Sequence, residues 1–169
     1  MNAASLAKPT LRPFLPQDAA VVAQIFRDAI EELTEDDYDE AQRSAWMASA
    51  DDEQSFAKRL AAQTTLLALR DGEPVGFVSL KGSDLLDMLY VRPEVAGEGI
   101  GTFLANAAET LARGRGAKIL NVDASDTALP FFEKLGFKPQ FRQSIALEDE
   151  WLANTKMAKV LETAGSAPA

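Results

Sequence analysis

"VRPEVAGEGIGTFLANAAETLA", residues 91–112, sets glycines at positions 97, 99 and 101 just before a stretch whose apolar residues recur at helical spacing. Upstream, "DLLDMLYVRP" reads as a strand ended by Pro93. Downstream, the glycines and basic residues of "RGRGAK" mark a helix C-terminus, and "ILNVDAS" reads as a short buried strand. The segment is therefore one βαβ unit: strand 85–91, helix 99–114, strand 119–123. Such a unit presents a helix N-terminus at the C-terminal end of its first strand. Unpaired N–H groups and the positive end of the helix dipole make that point an anion site. Glycine lets phosphate oxygens approach the backbone with no Cβ in the way.

Other readings of the glycines fit less well. A tight turn needing positive φ accounts for one glycine. A Walker loop requires a Gly-Lys-Ser/Thr that does not follow. A Rossmann fingerprint is the serious rival, because Asp123 ends the next strand where a ribose-binding acid belongs. Yet Thr102 occupies the third glycine position, five residues intervene between Val91 and Gly97, and too little chain follows Asp123 for the other half of such a sheet. A phosphate loop of another kind fits better.

Working outward, "LRPFL" reads as a strand and "PQDAAVVAQIFRDAIEEL" as a helix opened by Pro and Asp. "EDDYDEAQRSAWM" and "DDEQSFAKRLAAQ" read as two further helices. "TTLLALRDGEPVGFVSLKG" reads as a hairpin turning at Asp71-Gly72. After the βαβ unit, "ALPFFEKLGF" is a short helix stopped by Gly136, and two strands complete the chain. One domain over 9–162 follows, with 1–8 and 163–169 as flexible termini.

Composition limits the chemistry. The 169 residues are 47% hydrophobic and 25% charged, as in a soluble globular chain with one full-sized core. No apolar run approaches the length of a membrane span, and the start lacks a secretory h-region, so the expected location is cytoplasmic with no membrane partner. There is no Cys and no His. That removes disulfides, thiol nucleophiles, Cys/His zinc sites and every Ser-His pair, and no metal is expected. Proton transfer is left to carboxylates, Lys, Tyr, water or the substrate. A net charge of −9 argues against a nucleic-acid partner and suits a cationic small molecule.

"LYVRPEVAGEGIGTFLANAAETLARGRGAKIL", followed by "ALPFFEKLGFK", resembles the GNAT superfamily of N-acetyltransferases. The family's signature, Gln or Arg, two residues, Gly, one residue, then Gly or Ala, falls on 96–101. The order of elements matches across nearly the whole chain, and "DASDTALPFFEKLGF" with "WLANTKMAKVL" resembles a small bacterial branch. The resemblance implies an α/β fold with a mixed, mostly antiparallel central sheet flanked by helices, and acetyl-CoA as co-substrate. It places the pyrophosphate on the backbone of Ala96, Gly97, Glu98, Gly99, Ile100, Gly101 and Thr102. It pairs the pantetheine arm with Leu89, Tyr90 and Val91, whose strand splays from strand 119–123. Ser125, Phe132 and Lys134 complete the implied cofactor contacts. The implied reaction is acetyl transfer to the primary amine of a small molecule. A CoA-binding regulatory module without turnover is the alternative, and homodimers are common in the family.

This chain departs from the pattern in two places. Ala96 stands where Gln or Arg is usual and Glu98 where a basic residue is common, so backbone contacts must dominate. Phe132 stands where many members carry a Tyr that protonates the departing thiolate, and Ser125 where Asn is frequent; Ser125 can equally cap a helix. A base must then come from elsewhere. Asp87 lies inside an otherwise apolar strand, on the side of Leu89 and Val91 by the period of two, where burial suits an acid to accept a proton. Asp123 is the corresponding acid on the neighbouring strand. Either can instead cap a turn or bond to backbone at a strand end. The seven acids of "EELTEDDYDEAQRSAW" can draw in a cation or form a solvated face, and Tyr38 and Trp46 are the candidate acceptor wall or part of the core.

If the glycine loop is a coenzyme A site, acetyl-CoA raises the melting temperature and NAD does not, because a ligand that binds only the folded state stabilises it. The reverse pattern in a thermal-shift assay restores the Rossmann reading.

Overall fold

Asp71 and Gly72 take φ of 53° and 80°. Two positive φ angles in a two-residue loop match the right-handed twist of paired strands. They fold Thr64–Arg70 (β2) onto Glu73–Lys81 (β3). Thr10–Pro13 (β1) extends the sheet on one side and Leu85–Val91 (β4) on the other, both antiparallel. The crossover helix α4, Ile100–Gly114, then returns the chain so that Ile119–Ser125 (β5) runs parallel to β4. Lys138–Leu147 (β6) and Glu150–Val160 (β7) finish a seven-stranded sheet of order β1-β2-β3-β4-β5-β7-β6. The mixed, mostly antiparallel class expected from the sequence is the one observed. This computed structural model describes residues 7–162, so the expected flexible termini fall outside the described residues except for Ala7 and Lys8.

Each face of the sheet has its own core. Helices α1 (Ala19–Leu33) and α3 (Glu53–Ala62) set Val22, Ile25, Phe26, Phe56 and Leu60 against Leu67, Phe77 and Met88. On the opposite face, α4 and the short α5 (Leu129–Lys134) set Ile100, Leu104, Ala108 and Phe132 against Val78, Leu86, Leu120, Val122 and Met157. The fourth-residue spacing of Ile100, Leu104, Ala108 and Ala112 is the apolar stripe legible in the sequence.

Two local readings need correction. The helix expected over 35–47 begins only at Glu40 and ends at Met47 (α2). Asp39 caps it, accepting from the Gln42 N–H at 2.8 Å while the Gln42 side chain accepts from the Asp39 N–H at 3.0 Å. In β4, Ser79 lies opposite Met88 and Leu80 opposite Leu86, which leaves Asp87 with no residue across from it. This bulge breaks the period of two. Leu86 packs in the α4 cluster and Met88 in the α1 cluster, although they are two residues apart. Asp87 therefore does not share the side of Leu89 and Val91; its carboxylate meets α3.

Ahead of α1, Asp18 does more than start a helix. Its buried carboxylate takes both Arg12 Nη1 (2.7 Å) and Nη2 (2.9 Å), and the Leu15 N–H at 2.8 Å. The Arg12 hydrogen bonds hold the Asp18 pKa below the usual carboxylate value. A depressed folded-state pKa means that the contribution is present above the unfolded carboxylate pKa and is lost as pH falls through the folded one. Asp18→Asn accordingly lowers the urea midpoint at pH 7. The gap between variant and wild type closes in the acidic range below that of an ordinary carboxylate; a gap independent of pH shows that the ion pair is not the cause.

Candidate active site

The bulge at Asp87 falls directly after the last residue of β4 that pairs with β5. Those strands share only the Leu85–Asn121 and Leu86–Val122 rungs before they part. A bulge bends its strand, and here the bend opens the sheet. The opening belongs to a cavity of about 820 Å³ that runs from the glycine loop to the α1–α2 connection.

At one end stands the start of α4. Gly97 and Gly99 take φ of 81° and 89°, and a Cβ on either would meet open space. Gly101 serves differently: a Cβ there would sit 3.3 Å from the Phe131 ring, so its glycine admits α5. The N–H groups of Ala96 and Glu98 turn back to Pro93 O (3.2 Å) and Val95 O (3.1 Å). Those of Gly97, Gly99, Ile100, Gly101 and Thr102 have no acceptor among the described residues. The free donors are thus a subset of the seven expected. Glu98 is a second correction. Its carboxylate is held by Arg70 at 3.0 Å, turned toward β2 and away from the cavity, so its charge is balanced rather than aimed at a phosphate.

Leu89, Tyr90 and Val91 line the cavity along β4. The Tyr90 ring packs into an aromatic group with Phe26 (4.8 Å), Phe77 (5.6 Å) and Trp46 (6.3 Å), and burial drives its phenol pKa far upward. Phe132 also lines the cavity, buried between Phe131 and Phe137. Ser125 lines it too, its hydroxyl accepting from the Ala128 N–H at 3.1 Å and so capping the turn before α5. Lys134, at the end of α5, is exposed and does not line the cavity.

At the other end, Tyr38 and Trp46 meet edge to face at 5.4 Å, and both line the wall. Tyr38 precedes α2 rather than lying within it. Its hydroxyl accepts from the Asp126 N–H at 2.9 Å and donates to Ala153 O at 2.6 Å. Burial is the main cause that raises its pKa, so the hydroxyl keeps its proton. The seven acids of 31–40 are all exposed and none lines the cavity, which makes that run a solvated face. The two strand acids do line it. Asp87 receives Arg59 Nη2 (2.9 Å) from α3 and Gln63 Nε2 (2.8 Å) from the residue that caps the end of that helix, and Asp123 receives Gln143 Nε2 at 3.2 Å. Sequence reasoning missed Arg59 and Gln63, which reach Asp87 across 28 and 24 residues of chain.

The mixed, mostly antiparallel seven-stranded sheet flanked by helices is the fold of the GNAT N-acetyltransferases. Residues 34–161 match the family described as Acetyltransferase (GNAT) domain, and the chain belongs to that family. It is similar to the uncharacterized N-acetyltransferase YafP of Escherichia coli K12, with 32% identity over 147 residues, 87% of this chain and 93% of YafP. Among solved structures, a GCN5-related N-acetyltransferase from Rhodopseudomonas palustris superposes with a TM-score of 0.91 at 53% identity, covering 95% of this chain and 100% of that one. The PaiA N-acetyltransferase of Thermoplasma acidophilum, solved with coenzyme A, shares the fold at a TM-score of 0.75 and 19% identity, over 90% of this chain and 99% of its own.

Tyr38→Phe removes the hydroxyl that joins Asp126 N–H to Ala153 O and leaves both groups without that partner. The expected loss is about 1–3 kcal/mol of folding stability by urea denaturation. No loss shows that the two strands close and pair directly.

Proposed function

We propose that the protein, as a single domain over 9–162, moves the acetyl group of acetyl-CoA to the primary amine of a small molecule by direct attack on the thioester. One observation carries this reading: a single cavity joins the free amides at Gly97 and Gly99–Thr102 to the carboxylates of Asp87 and Asp123 through the gap between β4 and β5. The coenzyme A bound in the PaiA structure supports the choice of carrier. The residues present fit it. Five unpaired N–H groups at the helix start could receive an anion, and beyond Leu86 the β5-facing side of β4 has no strand partner to compete with a pantetheine amide. About 820 Å³ must hold the end of the pantetheine arm and the acceptor together, which favours a small acceptor. Leu33, Trp46, Ile145 and Leu152 give its body an apolar wall, and the two acids suit its cation.

Bound acetyl-CoA supplies the thioester whose C–S bond breaks as the new C–N bond forms. The chain provides the rest. Asp87, directly or through one water, takes a proton from the entering ammonium and releases the lone pair for attack on the carbonyl carbon. Phe132 has no proton to give, so the second amine proton reaches the departing sulfur through water. Tyr38 and Trp46 hold the acceptor against the opening.

Titration calorimetry with acetyl-CoA and thiol release over an amine panel test this reading. Asp87→Asn should lower kcat by roughly 100-fold and leave the acetyl-CoA Kd unchanged. Tight binding with no turnover on any amine supports instead a regulatory CoA-binding module of the same fold. Full activity in the variant moves the base to Asp123 or to solvent.

A further inference from the structure

We propose that Arg59 of α3 and Gln63, the residue that follows that helix, are positioning residues that grip one oxygen of Asp87 and leave the other as the single basic point facing the acceptor. The proposal rests on the transfer reading above. Arg59 Nη2 (2.9 Å), Arg59 Nε (3.3 Å) and Gln63 Nε2 (2.8 Å) all reach Oδ2. Among the described residues none reaches Oδ1. A carboxylate otherwise turns freely between two equivalent oxygens; three donors on one of them fix the plane and the direction of the other. The Asp87 side chain keeps 20% of its surface exposed and lines the cavity with Arg59, so the free oxygen is not sealed in.

Gln63 adds an independent sign. Its Nε2 is given to Asp87, while its own Oε1 is buried with no partner. An unpaired buried acceptor is unfavourable, and such groups are rare in a settled structure. Turning the amide over would not help, because Oε1 would then face the Asp87 carboxylate. The orientation of Gln63 is therefore set by Asp87. Asp123 lacks this treatment: it is exposed and holds one neutral partner, Gln143.

The arrangement also explains how a base can sit beside an ammonium without trapping it. Arg59 balances the charge of Asp87, so the acceptor meets an oriented oxygen rather than an uncompensated anion. The charged or titratable groups that face Asp87 are Arg59 on α3, Asp123 on β5 and the Tyr90 phenol on β4.

The test compares wild type, Gln63→Leu, Arg59→Gln and Arg59→Lys. Thiol release is followed from pH 5 to 9 with ethanolamine, phenethylamine, spermidine and lysine amide, and acetyl-CoA affinity by calorimetry. On the amine that wild type acetylates fastest, Gln63→Leu should lower kcat by about 10-fold with the acetyl-CoA Kd unchanged. Arg59→Gln should lower kcat with the acetyl-CoA Kd unchanged, and Arg59→Lys, which keeps the charge and a donor, should recover part of the loss. Unchanged kcat in Gln63→Leu and Arg59→Gln, with only the melting temperature lowered, overturns the proposal and leaves the pair as a fastener between α3 and β4. A wild type that binds acetyl-CoA yet acetylates none of the four amines overturns the transfer reading, and this role with it.

Discussion

Two parallel strands that pair for two rungs and then part are the constraint on which the rest of the site depends. A strand edge inside a fold is an unstable arrangement, because its N–H and C=O groups must find partners. The chain produces the separation with one extra residue, the bulge at Asp87, at the point where pairing stops. That residue does two things at once. It bends β4 away from β5, and it turns an acid out of the α4 core toward α3, where Arg59 and Gln63 receive it. The opening and the placing of the proposed base are thus products of a single irregularity.

The far side of β5 is handled differently. Ser125 is the last residue of β5 in register with β7, opposite Asn154, and one step further Asp126 would face Ala153. The Tyr38 hydroxyl enters there, taking the Asp126 N–H and giving its own proton to Ala153 O. It replaces a rung of the ladder with a side chain from the α1–α2 connection. Thr127 and Asp37 add a second tie at 2.7 Å, and Arg142 clamps Asp126 from β6 at 2.8 and 2.9 Å. The cavity wall around Tyr38 is therefore fastened to the sheet by its own aromatic residue.

Features that depend on neighbours in the chain could be read from the sequence. The Asp71-Gly72 turn, the helix after Gly99, the strand before Pro93 and the short helix ending at Gly136 each rest on local backbone preferences, and each is found. The candidate residues Asp87, Asp123, Tyr38 and Trp46 were legible as an acid in an apolar strand, its neighbour and two aromatics, and the cavity brings all four together. What could not be read is set by packing. A period of two carries no mark of a bulge, so Asp87 was put on the wrong side. Arg70 lies 28 residues from Glu98, and Ala153 lies 115 from Tyr38. No local pattern announces partners at such separations.

The Glu98–Arg70 pair bears on what kind of anion the proposed loop site could take. An acid among the glycines of a proposed phosphate loop looks self-defeating until its charge is cancelled from β2, with Arg70 only 11% exposed. Arg70 is then already committed to Glu98, and Lys134 on α5 is exposed and does not line the cavity. What remains for an anion is a set of N–H dipoles whose directions are fixed by the positive φ of Gly97 and Gly99. Dipoles held by backbone geometry lose less to salt than exposed lysines do, because they act only at contact range. On the proposed reading, loop shape more than net charge governs recognition at this end of the cavity, which is how a chain of net charge −9 could hold an anion without a basic patch.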